Sequence, residues 1–105
     1  MKAARPQDDA MVELLREDPA LADEYVTAAL EEADQPGGRQ VLLRALRQVA
    51  QAQGMQEVAA RAGLRRESLS RALSLKGNPT LETLLAVLSA AGLRLAVARK
   101  EEHAA

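Results

Sequence analysis

The stretch MQEVAARAGLRRESLSRALS at Met55–Ser74 has the pattern of a helix-turn-helix. Two helices that cross at a steep angle need a small residue where they touch, and Ala59 supplies it. The turn between them needs a residue that accepts positive φ, and Gly63 supplies that. Leu69 and Leu73 recur at helical spacing and are expected to pack the second helix on the first. The outer face of such a second helix normally enters the major groove of DNA, so the stretch predicts a DNA-binding motif.

The outer face of the predicted second helix carries candidate readers of base edges. Arginine binds guanine in a bidentate manner and serine is a permissive reader, so base contacts are predicted for Arg66, Ser70 and Arg71. The alternative for Arg71 is an ion pair with Glu67, four residues before it on a solvated helix face. The position of Arg71 in the motif favours the DNA contact.

A second set of residues around the motif is predicted to contact the DNA backbone. Such contacts fix the register of a protein on DNA without reading the base sequence. The predicted phosphate contacts are Gln56, Arg61, Arg65 and Lys76. Ser68, at the flank of the second helix, is expected to contact either a base or a phosphate, and Asn78 is interpreted only as a loop residue.

The composition of the 105 residues favours one all-α domain, or one domain with an appendage. Strong helix formers dominate, and Tyr25 is the only aromatic residue. The absence of cysteine excludes disulfides and thiolate metal sites, and it suits the reducing cytoplasm. We find neither a signal peptide nor an apolar run of membrane-spanning length, so we expect a cytoplasmic protein with no membrane partner.

The charge of the chain is divided unequally between its two parts. The net charge is only −1, which is unusual for a protein that binds DNA. Residues 1–35 hold three basic and ten acidic side chains, a net −7, whereas residues 36–105 hold eleven basic and five acidic, a net +6. Such asymmetry points to a nucleic-acid surface on the basic part, although two solvated faces of different charge are the alternative.

Helical periodicity and capping signals predict a helix-turn-helix bundle of five to six helices. Residues 1–7 are expected to be disordered, and Asp8 or Asp9 can cap a short helix to about Arg16. Asp18-Pro19 is the start signal of a helix to about Ala33. Further helices are expected at 39–53, as a pair within 55–74, and at 81–91, where Leu81, Leu84, Leu85 and Leu88 should face inward after a Thr80 cap.

Two breaks in the pattern define the expected domains and the C-terminus. Pro36-Gly37-Gly38 predicts a boundary between an acidic helical appendage at 1–35 and a helix-turn-helix domain at 36–105. Leu93–Val97 alternates with period two and predicts a short β-strand. No second strand exists in the sequence, so its open edge should pair with another chain. An irregular tail is the alternative.

The sequence offers no candidate for catalysis, and neither a cofactor nor a metal is expected. His103 is the sole histidine and lies in a polar tail. Asp8-Asp9 and Glu31-Glu32 are adjacent in sequence, so each pair points to different faces, unlike a catalytic carboxylate dyad. The expected protein is therefore not an enzyme.

The run from about Asp18 to Val97 resembles the HigA-like antitoxins, which are helix-turn-helix proteins of the XRE class. The segments that carry the resemblance are DPALADEYVTAALEEAD and LLRALRQVAQAQGMQEVAARAGLRRESLSRALSLKGNPTLETLLAVLSAAGLRL. The chain departs from that family at two positions where serine is usual, and these hold Gln56 and Arg65. A lost serine cap costs about 1 kcal/mol, and Arg65 can offer a phosphate contact in its place.

The resemblance implies an antitoxin that binds a small RelE/HigB-like ribonuclease toxin and represses the shared operon as a homodimer on double-stranded operator DNA. Residues 8–34 would then contact the basic toxin, and residues 39–92 would bind DNA. A stand-alone prophage repressor without a toxin is the main alternative, and an interaction module with a vestigial motif is a more distant one. The acidic appendage favours the antitoxin, because a minimal repressor needs only the helices after Gly38.

Overall fold

The computed structural model describes residues 6–100, and all regular secondary structure in that range is helical. Six helices follow one another along the chain: α1 (Pro6–Glu17), α2 (Leu21–Glu31), α3 (Gly38–Gln53), α4 (Met55–Ala62), α5 (Arg66–Ala72) and α6 (Leu81–Ala90). The predicted all-α class and the helix count are therefore confirmed for this part of the chain.

Helix α3 is the centre of the bundle. Helices α1, α2 and α4 all pack on α3, while α5 and α6 pack on α4. One apolar cluster runs through these contacts, from Leu15 of α1 and Val26 of α2 to Leu46 of α3 and Leu69 of α5. The two acidic N-terminal helices therefore share a core with the helices that follow them.

A buried polar pair links α2 to α3. Gln48 is the single polar residue in the described core, with 1% of its surface exposed. The hydroxyl of Tyr25 donates a hydrogen bond to its side-chain oxygen Oε1. Tyr25, the only aromatic residue of the chain, thus provides a hydrogen-bond donor for the buried amide oxygen of Gln48. A buried polar atom without a partner would destabilise the core.

The glycines between α2 and α3 make a tight turn. Gly37 has φ 77°, a left-handed conformation that favours glycine. A Cβ on Gly38 would overlap the backbone carbonyls of Glu32 and Ala33. The predicted break is therefore a close-packed corner, and it gives no support to independent motion of the N-terminal helices.

The starts of the first two helices differ from prediction. Helix α1 already includes Pro6 and Gln7, which were expected to be disordered, and residues 1–5 lie outside the described range. Helix α2 begins at Leu21 with Ala20 at its N-cap, so the predicted start at Asp18-Pro19 is two residues early. The reason is that Asp18 completes the end of α1, where its N–H donates to the carbonyl of Leu14 over 2.9 Å.

The buried face of α6 also differs from prediction. Leu88 is buried and Thr80 caps the helix as expected, with its side chain accepting from the N–H of Thr83. Leu81 and Leu85, however, are 66% and 44% exposed. The buried residues of α6 all lie in its second half, and Leu84 packs partly buried against the core as predicted, so only one side of the first turns projects beyond the core.

The predicted strand at Leu93–Val97 does not form within the described residues. Leu93 follows α6 and closes its end, because the N–H of Leu93 donates to the carbonyl of Leu88 over 2.8 Å. The segment that follows is irregular and exposed, and Lys100 Nζ ends 3.4 Å from Asp34 Oδ2. A strand requires a pairing partner, and residues 6–100 provide no second strand.

Candidate nucleic-acid interface

The corner between α4 and α5 has the geometry that the sequence predicted. Gly63 takes φ 74°, and the N–H of Leu64 donates to the carbonyl of Ala59 over 2.9 Å. Ala59 and Leu69 are buried to 2% and 0% exposure, which fixes α5 on α4 by close packing. One face of α5 is thereby committed to the core, and the opposite face is left to solvent.

The solvent face of α5 forms a shallow groove that contains the predicted base readers. Its walls come from five residues one or two turns apart: Arg66, Glu67, Ser70, Arg71 and Ser74. Within residues 6–100, the guanidinium groups of Arg66 and Arg71 make neither a hydrogen bond nor an ion pair. The alternative pair between Glu67 and Arg71 is therefore not formed, and both guanidinium groups are available to a ligand.

A second groove lies beside the first and shares Arg71 with it. This groove brings the predicted contacts Ser68 and Lys76 next to Arg71, together with the loop 77–80 that precedes α6. Lys76 is exposed and has no charged partner in the described chain. Five of the eight predicted contacts therefore line two adjoining grooves around a single short helix.

The start of α5 has no side-chain cap. Arg65 occupies the N-cap position with extended backbone, φ −73° and ψ 151°, and its side chain accepts no hydrogen bond from the helix. This agrees with the expectation that arginine in place of serine removes a cap. The guanidinium of Arg65 has no partner within residues 6–100 and lies at the positive end of the helix, where a phosphate is favourable.

Besides Arg65, two more predicted phosphate contacts lie outside the two grooves. Gln56 is exposed in the first turn of α4. Arg61 lines a different cavity with Leu15 and Val49, and its Nη1 donates to the carbonyl of Ala90 over 3.1 Å. The structure thus gives Arg61 a role at the end of α6, and its placement does not support the predicted phosphate contact.

Sequence reasoning did not identify the side chains that donate hydrogen bonds to the last carbonyls of α6 from positions far away in the sequence. Gln53 Nε2 donates to the carbonyl of Ala91 over 2.9 Å, beside the contact made by Arg61. Helix α6 has no basic residue in its last turn, so its terminal carbonyls need donors from elsewhere. The missing residue is not a specific signal in the sequence, because α2 and α3 also lack a basic residue in the last turn.

The acidic N-terminal part presents a separate surface on α2. Three carboxylates border a shallow groove whose floor contains Thr27 and Ala28: Asp23, Glu24 and Glu31. None of the three forms an ion pair within residues 6–100. The opposite side of α2 packs on α3 through Val26 and its buried alanines. The acidic face is therefore fully directed to solvent.

Other functional classes find no site in the described residues. No group of three or more histidine, cysteine or acidic side chains is arranged to hold a metal ion there. The longest of the described helices, α3, has 16 residues, and none combines the length and the hydrophobicity of a membrane span. His103 lies outside the described residues.

Comparison with known proteins identifies the family. The family model described as "Probable addiction module antidote protein" matches residues 4–99. A relative from Haemophilus influenzae, described as an uncharacterized protein, is 37% identical over 76 residues, which are 72% of this chain and 78% of the relative. No solved structure matches the chain. Because the family model covers nearly the whole sequence, the chain belongs to the addiction module antidote family.

Proposed function

We propose that the protein is the antitoxin of a type II toxin-antitoxin module, and that it represses its own operon and neutralises a small basic RelE/HigB-like ribonuclease toxin. The family supports the antidote role. The observation that carries DNA binding is the solvent face of α5, where Arg66 and Arg71 have no partner among residues 6–100. The activity is binding, without catalysis, and its place is the cytoplasm.

Helix α5 and its surroundings suit the major groove of operator DNA. Seven residues of helix span about 10 Å, and the B-DNA major groove is about 12 Å wide. If α5 binds as the second helix of a helix-turn-helix, base edges are contacted by Arg66, Ser70 and Arg71. Phosphates are contacted by Arg65 and Lys76. Gln56 and Ser68 are secondary phosphate contacts.

Substitution of single arginines tests the DNA contacts. With DNA from upstream of the gene, Arg71→Ala should weaken binding by about 1–3 kcal/mol and relax specificity at one base pair, whereas loss of a phosphate contact should weaken all sequences alike. Fluorescence anisotropy over a salt series measures both. Arg16→Ala is the matched control, because it also removes one positive charge, from an exposed position on α1. Equal losses for Arg71→Ala and Arg16→Ala would refute the assignment.

A homodimer is the DNA-binding form in this proposal. One α5 reads only a few base pairs, so a specific operator needs two half-sites about 34 Å apart. Exposed leucines on α6, Leu81 and Leu85, give a second copy an apolar surface to cover. Leu81→Lys with Leu85→Lys should shift the protein to monomer in sedimentation, whereas Val41→Lys, at another exposed apolar site, should not. A dimer that survives the double substitution would exclude this surface.

The acidic face of α2 is the proposed toxin-binding surface. Its unpaired carboxylates attract a basic ribonuclease and keep the toxin from its RNA substrate. Asp23→Asn, Glu24→Gln and Glu31→Gln together should abolish rescue of cells that express the cognate toxin, with operator binding unchanged. The control is Glu57→Gln with Glu82→Gln on other helices. Full rescue by the triple variant would move toxin binding to another surface.

A stand-alone repressor is the second candidate, and one structural observation is equally compatible with it. Helices α1 and α2 bury Leu15 and Val26 in the common core, so their presence is explained by folding alone. The N-terminal helices therefore do not discriminate between the two functions, and the antidote family is what favours the antitoxin. Two observations would together decide for the antitoxin. A neighbouring reading frame would encode a small basic protein, and that protein would co-purify with this chain.

A further inference from the structure

Helix α5 is too short to define its own orientation. It has seven residues and no side-chain cap at its start. Isolated helices of fewer than about 12 residues are marginal in water, so tertiary contacts must hold α5 in place. Packing on α4 through Leu69 supplies one such contact near the middle of the helix. At the C-terminal end, the side chain of Leu73 packs in the core, and the backbone carbonyl of the same residue takes a second contact.

Arg47 of α3 supplies that second contact. Its Nη1 donates to the carbonyl of Leu73 over 2.9 Å. Leu73 is the C-cap residue of α5 and is 1% exposed. A guanidinium at this position satisfies a terminal carbonyl and also complements the negative end of the helix. Because Arg47 is partly buried, solvent screens this contact less than a surface contact.

Arg39 holds the loop after α5 from the same helix. It lies eight residues before Arg47, about 12 Å along α3, and its Nη1 donates to Asn78 Oδ1 over 2.8 Å. Asn78 follows Gly77, where a Cβ would overlap the carbonyl of Ala72, so the loop is packed closely against the end of α5. The two arginines therefore contact the end of α5 and the loop that carries Lys76.

We propose that Arg47, assisted by Arg39, is a positioning residue that sets the orientation of α5 on DNA without touching DNA itself. The inference rests on the proposed DNA-binding function for its effect on affinity, but its structural part is independent of DNA. If the orientation of α5 is lost, the base-reading side chains no longer meet their bases. The sequence-independent attraction to phosphates remains, because the charges around α5 remain.

Amide hydrogen exchange by NMR on the full chain tests the structural part. In Arg47→Met, the α5 amides should exchange about tenfold faster than in the wild type, while the α3 amides keep their protection. Arg47→Lys keeps a donor and a charge and should recover part of the protection. Arg16→Met is the matched control and should leave α5 unchanged. Unchanged α5 exchange in Arg47→Met would overturn the proposal, as would a uniform increase across all helices.

Operator titrations test the functional part. Arg47→Met should weaken specific binding about tenfold and change binding to random DNA by less than about threefold, which lowers the specificity ratio. Equal losses on both kinds of DNA would show that Arg47 is a phosphate contact and would overturn the proposal. If the wild type itself does not bind upstream DNA specifically, the proposed function fails, and the exchange experiment still decides whether Arg47 holds α5.

Discussion

Removal of residues 1–35 should unfold the protein. The charge pattern of the sequence predicts that this part is a separate appendage. If it were, a fragment of residues 36–105 would bind operator DNA normally. The structure predicts otherwise, because the fragment loses four buried residues from the common core: Leu15, Ala22, Val26 and Ala29. It also leaves Gln48, which is 1% exposed in the intact protein, without the hydroxyl of Tyr25.

The magnitude follows from the burial. Full burial of a leucine or valine contributes about 1.5–3 kcal/mol, so the loss of Leu15 and Val26 alone costs about 3–6 kcal/mol. The apolar face of α3 that these residues cover becomes exposed as well. Small domains have a total stability of about 5–15 kcal/mol, so the loss is comparable with the whole stability of the protein.

Circular dichroism and NMR on the fragment 36–105 measure the outcome. We expect no cooperative thermal transition and a collapsed amide spectrum. The full chain in the same buffer is the reference for the melting curve. A fragment 36–105 that melts cooperatively within about 5 °C of the full chain would show that α3 does not need α1 and α2, since a loss of 1 kcal/mol already shifts the midpoint by about that much. Substitution of the carboxylates on α2 is therefore the sound test of toxin binding.

Three single substitutions test local contacts by urea unfolding. Tyr25→Phe removes the hydrogen bond to buried Gln48 and should cost about 1–3 kcal/mol; unchanged stability would mean that the amide is satisfied without the hydroxyl. Thr80→Ala removes the cap that accepts from the N–H of Thr83 over 3.1 Å and should cost about 1 kcal/mol, whereas Thr80→Ser should cost little. Gly63→Ala places a side chain at φ 74° and should cost about 1–2 kcal/mol, and a neutral result would show that the turn relaxes to negative φ.

Features fixed by local chemistry could be predicted from the sequence. Gly63 takes positive φ in the turn, Thr80 caps α6, and Arg65 leaves the start of α5 uncapped, all as expected. Each depends on the backbone conformation of a few adjacent residues and on side chains within a turn of them. The burial of Leu69 and Ala59 also follows from helical spacing, because a short turn leaves the two helices few ways to pack.

Features that depend on distant neighbours could not be predicted. Whether Arg61 faces DNA or the end of α6 depends on where α6 lies, which the periodicity of α4 does not contain. The same holds for Arg47 and its contact with Leu73, 26 residues away. Leu81 and Leu85 have the spacing of a buried stripe, but α6 buries only its second half against the bundle. Periodicity identifies an apolar face and does not specify what covers it.

The fold is compatible with the proposed DNA-binding surface on a chain whose net charge is −1. Helix α2 packs on α3, α5 packs on α4, and Arg47 of α3 contacts the C-cap of α5, so the contacts that link α2 to α5 run through α3. A helix with its side chains is about 10 Å across, and the Debye length at physiological salt is about 8 Å. Repulsion between the carboxylates of α2 and a phosphate on α5 is therefore largely screened, whereas Arg66 and Arg71 act at contact distance. For the proposed function, the local charge around α5 therefore matters more than the net charge of the chain.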